Sequence, residues 1–413
     1  MIFLYLLLFV LFFFLAYTNF RLAVGFFIIL LPTYLIRFQI GPLPTTLLEI
    51  IFLALFLTWL IKYVKNDIKN IISFLIPHSS FLIPLIIFFL SSIIAIFISG
   101  DLISALGIWR AYFLEPILLF LILLGRRSQL SFDWLTQFLV FASVPISVYA
   151  VLQRIFNFGL DQNGRVLSFF SSPNAVALFL LPLVFLNIYL IWQNKKFFSV
   201  YTYSFILILN LVAIFLTNSQ GAWIGLGAGM VVLLFLIGYK KASILLVSAG
   251  LLMAIFVPNI RLAVLFQDQA SNHRLILWNQ SWNYLKQSPY NFVFGSGLRQ
   301  FYNKIQKPTH DWSVIYRQIY PHNIFLNFWT EIGLLGLLSF VVLYFYLLST
   351  SFKIRKSNYI IGAVFISLLI AIFVHGLVDV PYFKNDLSFL WWIIIFLILD
   401  SYLYVNTAEQ KTF

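Results

Sequence analysis

The sequence predicts an all-α polytopic membrane protein of about 12–13 transmembrane helices, with one long external loop that contains an amphipathic helix. Three observations predict it. The chain is 62% hydrophobic and only 9% charged, whereas a soluble domain carries about 25% charged residues. Its apolar runs are continuous over roughly 20 residues. Backbone groups cannot stay unpaired in hydrocarbon, so such runs are helices, and a β-barrel would alternate instead. Finally, short basic clusters recur between the runs in a pattern that one membrane orientation explains.

The elements follow in order. Apolar runs mark thirteen spans near 2–18, 22–40, 47–61, 81–99, 106–124, 135–155, 174–192, 198–217, 221–238, 242–258, 323–349, 359–378 and 387–404. The first starts at Ile2 with no basic residue ahead of it and no small-residue cleavage site. It is therefore expected to be a retained helix and not a signal peptide. Lys62/Lys65/Lys69, Arg126/Arg127, Lys195/Lys196, Lys240/Lys241 and Lys353/Arg355/Lys356 each follow a span of one direction if 259–322 lies outside. That agreement sets the topology, and an odd number of spans places the N-terminus outside. In a soluble protein the net charge of +13 would suggest nucleic acid. Here topology accounts for much of it, and no nucleic acid is expected. There is no cysteine, hence no thiol chemistry. No repeat or linker divides the chain, which is read as one integral membrane domain over 1–413.

The segment 259–322 is the long external loop. It carries Arg261, Arg274, Lys286, Arg299, Lys304, Lys307 and Arg317 against only Asp268 and Asp311, whereas outer loops are normally poor in Lys and Arg. It is too short to bury a core of its own. Ser271 or Asn272 is placed to cap a helix that Ser288-Pro289 ends. Trp278, Trp282 and Leu285 share one face of it, so it lies on the membrane surface or caps the bundle. Gly295-Ser296-Gly297 makes a tight turn able to bring amides close to a ligand.

Chemistry is expected where this loop meets the next span. His322 follows Pro321 and precedes a long helix, and helix N-termini disfavour an imidazolium. Two roles fit it: a base that takes a proton from a hydroxyl, or an interfacial anchor. On a continuous helix Glu331 falls about 13 Å further along and on the opposite face. Asn323, Asn327 and Glu331 then line one stripe at four-residue spacing. A carboxylate at that depth faces the bundle and needs a partner. Arg165, Arg274 and Arg299 supply permanently charged planar forks suited to a diphosphate. Arg110 with Glu115, and His375 with Asp379 four residues on, read as packing groups. No metal-ligand spacing and no phosphate-cradling loop are present, so no metal and no cofactor are implied.

Pro321-His322-Asn323 followed by Trp329, Glu331, Gly333 and Gly336, after a long loop, resembles the O-antigen ligase and O-antigen polymerase superfamily. So do Arg274 with Trp278 before Gly295-Ser296-Gly297, Gly164-Arg165 before Ser172-Pro173-Asn174, and Asn218-Ser219-Gln220-Gly221. The resemblance covers roughly 160–390. It implies a GT-C-like membrane glycosyltransferase of the bacterial cytoplasmic membrane. Such an enzyme moves a glycan from an undecaprenyl-diphosphate carrier to an acceptor hydroxyl on a lipid, glycan or protein, with inversion and without metal. It further implies that His322 is the base and Arg274 a diphosphate ligand. Arg165, Arg299 and Gln220 are expected beside them as substrate-binding groups, and Asn323 and Glu331 in support. Gln220 stands where the family commonly has a second arginine, and Arg165 or Arg299 would have to compensate. The sequence leaves ligase and polymerase both open. A lipid-linked glycan transporter is the alternative from another class, although paired repeats are missing from the sequence.

Overall fold

The structure, a computed structural model, describes residues 2–41, 43–309 and 317–409; Asp311 lies outside them. The chain begins with α1 (Ile2–Thr18) and α2 (Phe20–Ile29). Asn19 caps α2 through a bond from the Leu22 amide. The apolar run expected to span to residue 40 stops at Ile29. A 3-10 turn, Leu31–Leu35, contains Pro32, and an antiparallel hairpin of β1 (Arg37–Ile40) and β2 (Leu43–Thr46) follows. Proline cannot continue the amide ladder, which accounts for the break. A reciprocal cap between Thr46 and Glu49 starts α3 (Leu47–Lys62). The chain then bends by 95° into α4 (Val64–Leu75).

Next come α5 (Ser79–Ser99), α6 (Leu102–Trp109) and α7 (Glu115–Gly125), the last two joined through a π-helical turn, Arg110–Leu114. Pro116 cannot donate to the Tyr112 carbonyl, and that carbonyl accepts the Tyr382 hydroxyl at 2.6 Å instead. Arg110 and Glu115 do pack as expected: Arg110 bridges Glu49 at 2.7 Å and Glu115 at 3.4 Å, joining three elements. The middle of the chain is α8 (Phe132–Phe156), α9 (Pro173–Gln193), α10 (Phe197–Leu216), α11 (Gln220–Leu236) and α12 (Lys240–Phe256). The loop elements are α13 (Pro258–Val264), α14 (Gln269–Lys286), α15 (Pro289–Phe294) and the short α16 (Lys307–Thr309). The chain closes with α17 (Ile324–Ser357), α18 (Tyr359–Gly376) and α19 (Asn385–Glu409).

Eight helices are long and apolar enough to cross a membrane, and two bent pairs pass the same test together. Three shorter apolar helices, including Gln220–Leu236, join them. The chain is a multi-pass membrane protein. Its centre is α9, α18 and α19, buried nearly all round, as expected for helices apolar on every face. Phe3, Phe97, Phe198 and Leu245 face outward instead, which a lipid solvent tolerates.

Candidate active site

Two local features build the site. The first is a break in α17. Gly333 has φ +76°, outside helical space. A side chain there would meet the Val293 carbonyl at 2.6 Å. The freed Thr330 carbonyl accepts both the amide and the hydroxyl of Ser296, at 2.7 and 2.9 Å. The Trp329 indole donates to the Phe292 carbonyl at 2.7 Å. The Gly-Ser-Gly turn therefore docks protein backbone into the broken helix. Glu331 finds its partner there: its carboxylate accepts the Arg299 amide at 2.6 Å. The partner is a backbone N–H, and no ion pair joins the two side chains among the described residues.

The second feature is the approach to α17. Asn323 caps that helix through the Phe325 and Leu326 amides, and its own amide donates to the Leu377 carbonyl at 2.9 Å. His322 lies before the cap with φ +53°, so it is not on the helix, and the opposite-face argument for Glu331 does not apply. Left-handed backbone is costly for a residue with a Cβ, and such residues gather at functional sites. The expected cap of α14 is also corrected: Asp268, not Ser271 or Asn272, accepts the Ser271 amide. The tryptophan face of α14 covers the bundle. Trp278 donates to the Pro321 carbonyl at 3.0 Å, and Trp282 meets the Trp329 ring edge-on.

His322 is held on both sides. Its Nδ1 lies 3.4 Å from the Asp379 carboxylate and its Nε2 3.1 Å from Gln318 Oε1. The Tyr320 ring packs against it edge-on, with centroids 5.0 Å apart. With Nδ1–H directed to Asp379, Nε2 carries the lone pair. Gln318 meets it as a donor after a half-turn of its amide. Asp379 is 2% exposed. Burial alone would raise its pKa, but the His322 hydrogen bond and the charges of His322, His375 and Lys384 hold it well below the usual carboxylate range.

Sequence spacing assigned Asp379 to a helix face shared with His375. Instead α18 ends at Gly376, and the corner after it turns Asp379 toward His322. His375 remains in the helix, 1% exposed, with neither ring nitrogen hydrogen-bonded among the described residues. Asp379 is thus the residue that sequence reasoning missed as a partner of His322. Its only signal was polarity at a helix end.

Arg165 reaches the same end of the bundle. Its Nε donates to the Thr217 carbonyl at 2.6 Å and a terminal nitrogen donates to Asn174 at 2.9 Å. Asp161 and Gln153 fix the loop that carries it. Burial pushes the guanidinium below its usual pKa. Asp161 and Asp379 work against that shift, and Arg274 adds to it. Arg274 acts electrostatically on both Arg165 and His375. Its side chain has no hydrogen bond or ion pair among the described residues. Gln220 opens α11, three residues past the carbonyl that holds Arg165. The adjacent Gly221 lies against Val378 and His375, where a side chain would meet Val378 at 2.6 Å.

The structure therefore gathers His322, Asp379, Arg165, Arg274 and Gln220 at one end of the bundle. Arg299 is not in this group. It lines a separate cavity with Tyr320, Asn327 and Glu331. An imidazole oriented by a carboxylate can move a proton, and two guanidiniums close enough to act on each other electrostatically can bind an anion. Among the described residues no group of three or more His, Asp or Glu is placed to hold a metal ion.

No curated protein matches the chain. A family model described as O-antigen ligase matches residues 205–341. That stretch includes Gln220, Arg274, Arg299, His322 and Glu331, and leaves out Arg165 and Asp379. At the level of the family the match supports ligase-type glycan transfer by a glycosyltransferase-like membrane enzyme. Over residues 205–341, about a third of its length, the chain is thus similar to the O-antigen ligase family, and its polytopic helical fold is consistent with that likeness.

Proposed function

We propose that the chain transfers a glycan from an undecaprenyl-diphosphate carrier to an acceptor hydroxyl on a lipid, glycan or protein. The reaction takes place at the outer face of the bacterial cytoplasmic membrane, the side that 259–322 faces. The whole chain acts as one integral membrane domain. The observation that carries this reading is the pairing of His322 with Asp379 beside Arg165 and the uncompensated Arg274.

Each group has one task. His322 Nε2 takes the acceptor proton as the acceptor oxygen bonds to the anomeric carbon. The bond from that carbon to the diphosphate oxygen breaks, and its electron pair leaves with the diphosphate. Arg274 and Arg165 stabilise the developing charge in the way a metal ion would, and the proposed reaction uses none. Loss of one such preorganised donor typically costs about 100- to 1,000-fold in rate. Attack opposite the leaving group inverts the anomeric centre. Asp379 fixes the imidazole tautomer and stabilises the imidazolium that forms, while Gln220 offers the diphosphate a neutral hydrogen bond.

Transfer from purified lipid-diphosphate donor by the full chain in nanodiscs tests the reading. His322→Ala is expected to lose about 100- to 10,000-fold of transfer and to keep donor binding. Binding lost with transfer would move His322 into the diphosphate site. Donor depleted without a covalent product would establish transport instead.

A further inference from the structure

A cavity of about 240 Å³, bordered by Tyr320 and not by His322, has a lining that includes Arg37, Tyr112, Arg299, Asn327 and Glu331. We propose that it is the subsite for the acceptor's sugar ring, a neutral pyranose held by its hydroxyls. This inference rests on the transfer reading above, in which the arginine pair at His322 takes the donor.

The lining chooses the ligand. Asn327 is 1% exposed, and both its amide oxygen and its amide nitrogen lack a hydrogen-bond partner among the described residues. A buried amide without partners is costly, so the site calls for a ligand that both donates and accepts. One Glu331 oxygen is held by the Arg299 amide; the other makes no hydrogen bond among the described residues. An apolar ligand would leave Asn327 and that oxygen unpaired. A simple anion would meet Glu331, and a cation would meet Arg37 and Arg299. Adjacent hydroxyls on a ring satisfy an amide, a carboxylate and guanidiniums together, and the apolar face of a sugar packs on the Tyr112 and Tyr320 rings. The volume lies just under the roughly 300 Å³ of small-molecule pockets, so one ring enters while the rest of the acceptor stays outside.

Position supplies the second argument. The Tyr320 ring is at once a wall of the cavity and an edge contact of the His322 imidazole. A ring seated against Tyr320 and Asn327 therefore adjoins the side chain that packs on the imidazole. The diphosphate arginines Arg165 and Arg274 are absent from the lining, which leaves the two substrates separate seats.

The test is saturation-transfer NMR on the full chain in nanodiscs, using the methyl glycosides of glucose, galactose and N-acetylglucosamine at millimolar concentration. At least one is expected to bind, and Asn327→Leu is expected to weaken it about ten-fold or more. Gly107 also lines the cavity, and a side chain there meets only Pro44 at 3.7 Å. Gly107→Leu fills part of the cavity from that wall, so it should block binding without disturbing the fold. Thermal unfolding of both variants confirms that they are folded. His322→Ala should bind as the parent does. No binding by any of the three glycosides, or binding that survives both variants, overturns the assignment. Parental transfer rates in both variants overturn the cavity alone and leave the transfer reading intact. Glycoside binding without transfer overturns the transfer reading and leaves a sugar site.

Discussion

Asp379→Asn isolates the contribution of the carboxylate that orients His322, because it keeps the shape and removes the charge. The two groups lie 3.4 Å apart, and Asp379 is 2% exposed. At an effective dielectric of about 20, opposite unit charges at that distance attract by about 5 kcal/mol. A transition state with half a charge on the imidazole would lose about 2.5 kcal/mol, and a full charge the whole amount. The expected fall in kcat thus runs from about 70-fold to about 5,000-fold. KM for donor and acceptor should barely change, since Asp379 is proposed to touch neither. The assay is steady-state transfer from lipid-diphosphate donor, run beside His322→Ala and the double variant. The two losses should not add, because the residues act as one unit. If Asp379→Asn turns over at the parental rate, His322 is not a base held by this carboxylate. Fully additive losses would show that the two residues act separately.

Arg274→Lys keeps the charge but loses the planar fork, so most transfer should be lost, about 100-fold or more; Gln220→Arg should be tolerated or raise the rate. Parental turnover by Arg274→Lys would move the diphosphate site elsewhere. Gly333→Ala places a Cβ against the Val293 carbonyl at positive φ, and unfolding in detergent should show a loss of about 2 kcal/mol or more. The depressed pKa of Asp379 means its carboxylate adds stability above the ordinary carboxylate value, and this is lost as pH falls through the lowered one. The difference in melting temperature between parent and Asp379→Asn should therefore shrink as pH falls below about 4. A difference that vanishes by pH 6 would refute it. The parent has no cysteine, so exposed Lys286→Cys and Lys240→Cys report sidedness directly. An impermeant maleimide should label the first in intact cells and spare the second, and the reverse would invert the topology.

Much of this architecture was legible in the sequence. Hydrocarbon imposes a local rule, namely a long apolar run with paired backbone, so helix positions followed from composition alone. Of the expected stripe of Asn323, Asn327 and Glu331, the last two line one cavity, because four-residue spacing on one helix is local geometry, whereas Asn323 leaves the helix to cap it. Boundaries failed where a single residue outweighed the apolar run. Pro32 ended the second expected span early, and Gly333 broke a helix that reads as continuous.

What the sequence determined by itself is the all-helical multi-pass class, the family resemblance now matched over 205–341, and a basic loop leading into His322. Only the tertiary structure decided which of its polar residues meet. It joined Asp379 to His322 across 57 residues and set Arg165 near Arg274. It also set Arg299 in another cavity, and gave Glu331 a backbone amide in place of a cation. The physical reason is that hydropathy reports the solvent each segment prefers, which is a property of the segment. The partner of a buried polar group depends on how helices cross and where they break, and at Gly333 and Gly376 that was settled by packing between segments distant in the chain.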